Sequence, residues 1–184
     1  MDEWLPAFLV LIWALGFTTV LLTRYARWKQ LSKMLERSVR PESVRGVEIL
    51  RRIENATKAR TRTRTRTRTR TRTRFLVSNE FLEPGVFGIF RPALLWPAQL
   101  SDRLEDAHLE AILAHEVAHV QRHDNLVALI HMIVETIFWF HPFDWWIERK
   151  MVEERERACD EAVLRPGSRA EIYADSMLKV SRSA

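Results

Sequence analysis

A single cysteine, Cys159, leaves this chain of 184 residues without any possible internal disulfide. A secreted fold held by disulfide staples is therefore excluded, and a reducing compartment is permitted. The length gives room for roughly one domain, which excludes a multidomain enzyme. A general excess of base is lacking too. The formal charge is +5, but eight of the 29 basic residues lie between Arg60 and Arg74, and the remainder of the chain holds more acid than base. The basic character belongs to one tract, so a specific nucleic-acid partner is not expected.

Long apolar runs are equally scarce, and one stands out. Residues 4–23 run for twenty positions without a charge, long enough at about 1.5 Å per residue to cross the roughly 30 Å hydrocarbon layer as a helix. Signal-peptide features are missing: instead of a basic segment, Asp2 and Glu3 precede the run. Arg24, Arg27, Lys29, Lys33, Arg37 and Arg40 follow it. By the positive-inside rule the N-terminus is outside, and the rest of the chain lies on the cytoplasmic side of the cell (inner) membrane.

Residues 24–57 are rich in Arg, Lys, Glu and Leu with a break at Pro41, and predict amphipathic helices near the membrane surface. From Thr61 to Arg74 the dipeptide Thr-Arg then repeats seven times. A strand of that pattern would put every arginine on one face, so the tract is expected to be solvated and disordered. It reads as a polycation for anionic lipid or nucleic acid or, in preference, as the product of slippage in a short DNA repeat. Beyond it, residues 75–77, 86–90 and 93–96 are short apolar runs separated by Glu83-Pro84-Gly85 and Arg91-Pro92, the pattern of a hairpin or small sheet.

Helical patterning begins between Ser101 and Asp106, where Asp102 and Glu105 have capping-box spacing, and continues past His119 through Leu109, Ile112, Leu113, Val117 and Val120. A second apolar stretch, residues 126–140, contains His131 and Glu135. It predicts a buried or membrane-embedded helix with its polar face turned inward rather than a lipid-facing span. A third helix is expected from Pro142, with Asp144 in its first turn, to about Leu164. A last amphipathic helix over 168–184 stops so abruptly that the chain reads as truncated.

The chemistry sits in His115-Glu116-Val117-Ala118-His119. Helical residues four apart are about 6 Å apart along the axis and about 40° around it, so both imidazoles can reach one tetrahedral Zn2+. Glu116 is one residue off that pair, placed to take a proton from water rather than to bind the metal. The bland alternative is an exposed helix that happens to carry a histidine stripe, His115, His119 and His123. About 12 Å of straight helix separates the first from the last, too far to share an ion. A metzincin is excluded, because its pattern needs Gly and His where this chain has Arg122 and Asn125.

A third ligand must come from elsewhere, and the third helix offers Glu156 and Asp160 on one face. One carboxylate can complete a His2Glu site while the other accepts the free N–H of a ligating histidine. Arg122, His123 and His131 are candidates for an oxyanion donor, each read more readily as structural. Cys159 reads as a small residue packing between helices rather than a redox thiol, and the seven tryptophans as an interfacial belt.

Several of these stretches together resemble the integral-membrane gluzincin peptidases of the BlaR/MecR type, beta-lactam sensor-transducers and their relatives. The matching residues are Glu83-Pro-Gly-Val-Phe-Gly-Ile-Phe-Arg-Pro92, Ala114-His-Glu-Val-Ala-His119 with Arg122-His-Asp-Asn125, Phe140-His-Pro142 with Trp145-Trp146, and Glu154-Arg-Glu-Arg-Ala-Cys-Asp-Glu-Ala-Val-Leu164. The resemblance implies an α+β, mainly helical membrane-associated gluzincin fold, with an HExxH helix, a distal Glu helix, a small β-hairpin or sheet and one N-terminal transmembrane helix. It implies one Zn2+ per chain held by His115, His119 and Glu156, Glu116 as catalytic base and acid, and Asp160 as partner of His115. The implied activity is that of a metalloendopeptidase in signal transduction. Its substrate would be a peptide or protein such as a transcriptional repressor, with the hairpin over 86–96 bordering the cleft.

Members of that family usually carry further transmembrane helices and often a sensor, where this chain has one clear span. Heat-shock and prenyl-protein type membrane gluzincins share HExxH and a distal Glu-x-x-x-Asp, but Arg122-His-Asp-Asn125 and Ala158-Cys-Asp160 argue against them. The expected organisation is a transmembrane helix over 1–24, a cytoplasmic helical linker over 25–58, the low-complexity tract over 59–74 and a zinc metallopeptidase domain over 75–184. The alternative is a non-catalytic, membrane-tethered remnant that binds anionic lipid or nucleic acid through its arginines.

Overall fold

The computed structural model describes residues 4–37, 44–64, 73–79, 83–164 and 170–183. In chain order these form α1 (Trp4–Arg37), α2 (Val44–Arg64), β1 (Arg74–Ser78), β2 (Gly85–Phe87), β3 (Ala93–Pro97), α3 (Ala98–Arg103), α4 (Asp106–Arg122), α5 (Asp124–Ile137), α6 (Pro142–Leu164) and α7 (Ala170–Ser183). The architecture is mainly helical with one small mixed sheet, the expected fold class. Two compact units result, one of Met1–Arg37 with Val127–Val152, the other of Ser38–Leu126 with Glu153–Ala184.

In the first unit, α1 is the one described helix long and apolar enough to cross a membrane. None of its residues is buried, so its apolar side chains face outward as a lipid-facing helix requires. Its hydroxyls are satisfied locally: Thr18 donates to the Ala14 carbonyl (2.7 Å) and Thr19 to that of Leu15 (2.8 Å). Such back-bonding removes the cost of an unpaired hydroxyl in an apolar medium. Two further contacts tie α1 to α5. Trp13 Nε1 donates to the Ile137 carbonyl (3.0 Å), one of the acceptors a helix end leaves open. The Arg24 guanidinium pairs with Glu135. On α5, Val127, Ile130, Ile133, Val134 and Ile137 point outward, while Thr136 is buried and Glu135 is held by Arg24. The polar face is turned inward as expected, but the apolar face is exposed rather than packed into a protein core.

The second unit is organised around α4. Leu109, Ile112, Leu113 and Val117, spaced as one helix face, pack with Ile49 and Leu50 of α2, Phe75 of β1 and Leu94 and Trp96 of β3. On another face, Ala111 and Ala114 pack with Val163 of α6 and with Tyr173 and Met177 of α7. The alanines let those helices approach closely. The sheet has strand order β1-β3-β2, with β3 parallel to β1 and antiparallel to β2. All five residues of the central β3 are buried, the signature of a strand covered on both faces. Gly88 follows β2 with φ +87, and a side chain there would meet the Arg91 carbonyl at 2.9 Å. Only glycine fits that corner.

Three expectations change. The segment over 25–58, read as a helical linker, is helical but divided: residues 25–37 continue α1, and from Val44 the chain forms α2, whose Leu50 is fully buried in the core of the second unit. Asp102 does not cap α4: it lies in α3, and the residue preceding α4 is Glu105, without a side-chain capping bond. The Thr-Arg tract is structured at both ends. Its first repeats close α2 and its last residue opens β1, while residues 65–72, and the break at Pro41, lie outside the described residues. Thr73 is buried because its N–H donates to Glu54 (3.0 Å) and its carbonyl accepts from Arg51 (3.1 Å). Of the helix expected over 168–184, residues 168, 169 and 184 likewise fall outside.

Removing a fully buried leucine costs about 2–5 kcal/mol. Leu50→Ala should therefore lower the chemical-denaturation midpoint of the full chain clearly, whereas Arg52→Ala, at an exposed position of the same helix, should change stability by no more than about 0.5 kcal/mol. Equal effects would return α2 to the status of a linker.

Candidate metal centre and active site

Helix α4 carries His115 and Glu116, both buried, and half-buried His119 on its inner surface. From α6, Glu156 reaches the same point. His115 Nε2 lies 3.1 Å from His119 Nε2 and 3.3 Å from Glu156 Oε2, which is 3.7 Å from His119 Nε2. Bonds of about 2.0–2.1 Å to a tetrahedral zinc ion set ligand atoms about 3.3 Å apart, so the three donors have the separation such an ion demands. The other carboxylate oxygen, Oε1, lies 3.6 Å from Arg155 Nε, which leaves Oε2 turned toward the histidines.

The far nitrogen of each ring is also engaged. His119 Nδ1–H donates to Asp124 Oδ2 (2.8 Å), and Arg122 Nε lies 3.5 Å from the second oxygen of that carboxylate. His115 Nδ1 lies 3.2 Å from Asp160 Oδ1 and 2.8 Å from the Tyr173 hydroxyl. A carboxylate only accepts, so the proton of His119 is on Nδ1 and its Nε2 lone pair faces the site. Proton-free nitrogen and carboxylate oxygen at these separations repel unless positive charge lies between them. The donor set therefore fits a cation.

Burial acts on the titrating groups. Desolvation pushes Glu116 up to about 7, and the nearby Glu156 charge adds to it. Burial holds His115 below the ordinary histidine value, assisted by His119. The Cys159 thiol is pushed up to about 12, first by burial and then by Asp124. Its Sγ lies 3.3 Å from His119 Nδ1 and 3.7 Å from Asp124 Oδ2. His119, Asp124 and Cys159 thus also form a three-donor cluster, but the histidine nitrogen involved is the one that donates to Asp124. The cluster supports His119 from behind, and the thiol packs there as a weak donor.

A cleft of about 300 Å3 opens beside the three donors, lined by Glu116 and Arg155 on one side and by Glu83, Gly85 and Val86 of the hairpin on the other. Asn125 anchors that hairpin, its Nδ2 donating to the carbonyls of Val86 (3.0 Å) and Gly88 (3.1 Å). None of the three oxyanion candidates lines this cleft. Arg122 is engaged with Asp124, His123 ends α4 in a left-handed conformation at φ 57, and His131 belongs to the other unit.

Asp124, Asn125 and Tyr173 were not assigned roles from the sequence. Asp124 is five residues beyond His119, off its face in a continuous helix. The left-handed His123 turns the chain so that α5 begins at Asp124 and carries it back under the ring. Tyr173 is distant in sequence, and no spacing rule points to it.

A family model described as BlaR1 peptidase M56 matches residues 2–184. The methicillin resistance mecR1 protein of Staphylococcus aureus is 31% identical over 106 residues, which are 56% of this chain and 18% of that protein. The protein of the same name from Staphylococcus epidermidis gives the same values. The regulatory protein BlaR1 of Bacillus licheniformis is 32% identical over 82 residues, 45% of this chain and 14% of its own length. This chain thus spans less than a fifth of each of these relatives.

Because Cys159 is fully buried and its thiol stays protonated far above neutrality, the native chain should not react with Ellman's reagent at pH 8, and one thiol should appear on unfolding in guanidinium. Rapid reaction of the native chain would contradict this placement.

Proposed function

Since the chain belongs to the BlaR1 peptidase M56 family of metallopeptidases, we propose that it is a zinc-dependent endopeptidase anchored by α1, with its site on the cytoplasmic side, acting on a regulatory protein such as a transcriptional repressor. The observation that carries this reading is the convergence of His115 Nε2, His119 Nε2 and Glu156 Oε2 on one point, with Glu116 beside them. The chemistry of the set agrees: two imidazoles and a carboxylate suit zinc with a position left open for water or substrate.

Bound in this set, zinc supplies a Lewis acid that makes water more acidic and polarises a carbonyl. Glu116 takes the proton of the attacking water and returns it to the leaving amine. Its burial favours the protonated carboxyl, which suits a group that must hold that proton between the two steps. Asp124 and Asp160 orient the two imidazoles. The hairpin supports a peptide substrate, because β2 is a sheet-edge strand whose first residues line the cleft, and an extended chain can add along such an edge. The placement of acid before the apolar run of residues 4–23 and of base after it supports the cytoplasmic side. The regulatory role follows the names of the relatives.

The test is zinc content and hydrolysis of fluorescein-labelled casein by the full chain in detergent. The wild type should hold about one zinc per chain, lost or sharply weakened in His119→Ala and Glu156→Gln. Glu116→Gln should keep the metal and lose hydrolysis by about 100-fold or more. A folded wild type without zinc would overturn the reading and favour the membrane-tethered remnant.

A further inference from the structure

The last helix takes part in the metal centre through one hydroxyl. Tyr173, on α7, is buried, and its ring lies over that of His115 with centroids 6.2 Å apart and planes 27° from parallel. Its oxygen is 2.8 Å from His115 Nδ1, and its O–H donates to Asp160 Oδ1. That carboxylate oxygen is itself 3.2 Å from His115 Nδ1. The three groups form a closed triangle in which every proton can be accounted for.

A tyrosine hydroxyl has one proton to give and lone pairs to accept with, whereas an ionised carboxylate only accepts. With the hydroxyl proton on the Asp160 side, the oxygen can only accept from His115, so the imidazole proton must be on Nδ1. The reverse arrangement, Tyr173 donating to a bare Nδ1, would take the proton out of the contact between Tyr173 and Asp160 Oδ1 and leave two oxygen lone pairs facing each other at hydrogen-bond distance. The triangle excludes it. Nε2 is left with a free lone pair on the side where Glu156 and His119 converge.

The fold holds this hydroxyl in place. Two residues along α7, Asp175 bridges His108 Nε2 of α4 (2.9 Å) and Lys179 Nζ (2.7 Å). Met177 packs between the same two helices. The helix bearing the tyrosine is thus pinned to the helix bearing the histidine.

We infer that Tyr173 is a positioning residue of the metal centre: by accepting Nδ1–H of His115 and donating to Asp160 it fixes the imidazole tautomer that presents Nε2 to the metal, and it makes α7 part of the site. The inference rests on the zinc reading above. Outer partners of ligating histidines typically change metal affinity by about 10–100-fold.

Tyr173→Phe removes one oxygen from the full chain. Zinc affinity, measured by competition with a chelating dye, should fall by about tenfold or more, with stoichiometry restored at saturating zinc, and the visible bands of the cobalt-substituted protein should shift. Wild-type affinity with an unchanged cobalt spectrum would overturn the inference. In a double-mutant cycle with Asp160→Asn, the combined loss should be smaller than the product of the two separate losses, because both variants break one triangle; independent losses would overturn it. Should Tyr173→Phe fail to fold, the 15N shifts of the His115 imidazole in the zinc-loaded wild type decide: a protonated Nδ1 with the metal on Nε2 is required, and metal on Nδ1 would overturn it. A wild type that binds no zinc would instead overturn the reading on which the inference rests.

Discussion

An imidazole placed in a protein interior keeps two nitrogens, and each must find a partner or leave a costly orphan. At the candidate metal site one such ring is buried and another half-buried, one turn apart on the most enclosed helix of the second unit. The Nδ1 atoms face a prearranged ring of acceptors, Asp124 behind His119 and Asp160 with Tyr173 behind His115. Among the described residues, the Nε2 atoms then face each other and Glu156. Much of the unit's architecture follows from satisfying four nitrogens in this asymmetric way.

Each acceptor depends on a different piece of backbone. Asp124 depends on the left-handed His123, a conformation that costs a residue with a side chain roughly 1–2 kcal/mol. The same turn delivers Asn125 to the hairpin, so one strained residue sets both the support of a histidine and the position of the strand across the cleft. Asp160 depends on α6 lying alongside α4, which the small residues Ala111 and Ala114 allow. Tyr173 depends on α7 and its His108–Asp175–Lys179 tie.

The first unit meets the same constraint in another setting. A helix suited to lipid has no water to satisfy its polar groups, and here the hydroxyls of Thr18 and Thr19 bond back to their own helix. Arg24, at the end of the apolar run, pairs with Glu135, while the outward face of α5 is left aliphatic. The sequence reading of α5 as a helix with its polar side inward follows from Glu135, since an acid in an apolar run needs a partner. The identity of that partner, 111 residues earlier, does not.

What the sequence determined by itself was local and periodic. Charge-free length identified α1, the interval between His115 and His119 with Glu116 identified the helix of the candidate metal site, and Pro142 marked the start of α6. These features repeat within one or two turns, where bond geometry alone relates residue to residue. Tertiary structure decided the rest. Leu50 joined α2 to the core because apolar burial is indifferent to distance in sequence, and Thr73 was ordered by Glu54 and Arg51 although its own tract is polar and repetitive. Asp124 and Tyr173 became partners of the histidines only through a left-handed turn and the docking of a last helix. No period links them to residues 115 and 119, because a hydrogen bond is set by three-dimensional approach, and that approach exists only once the chain has packed.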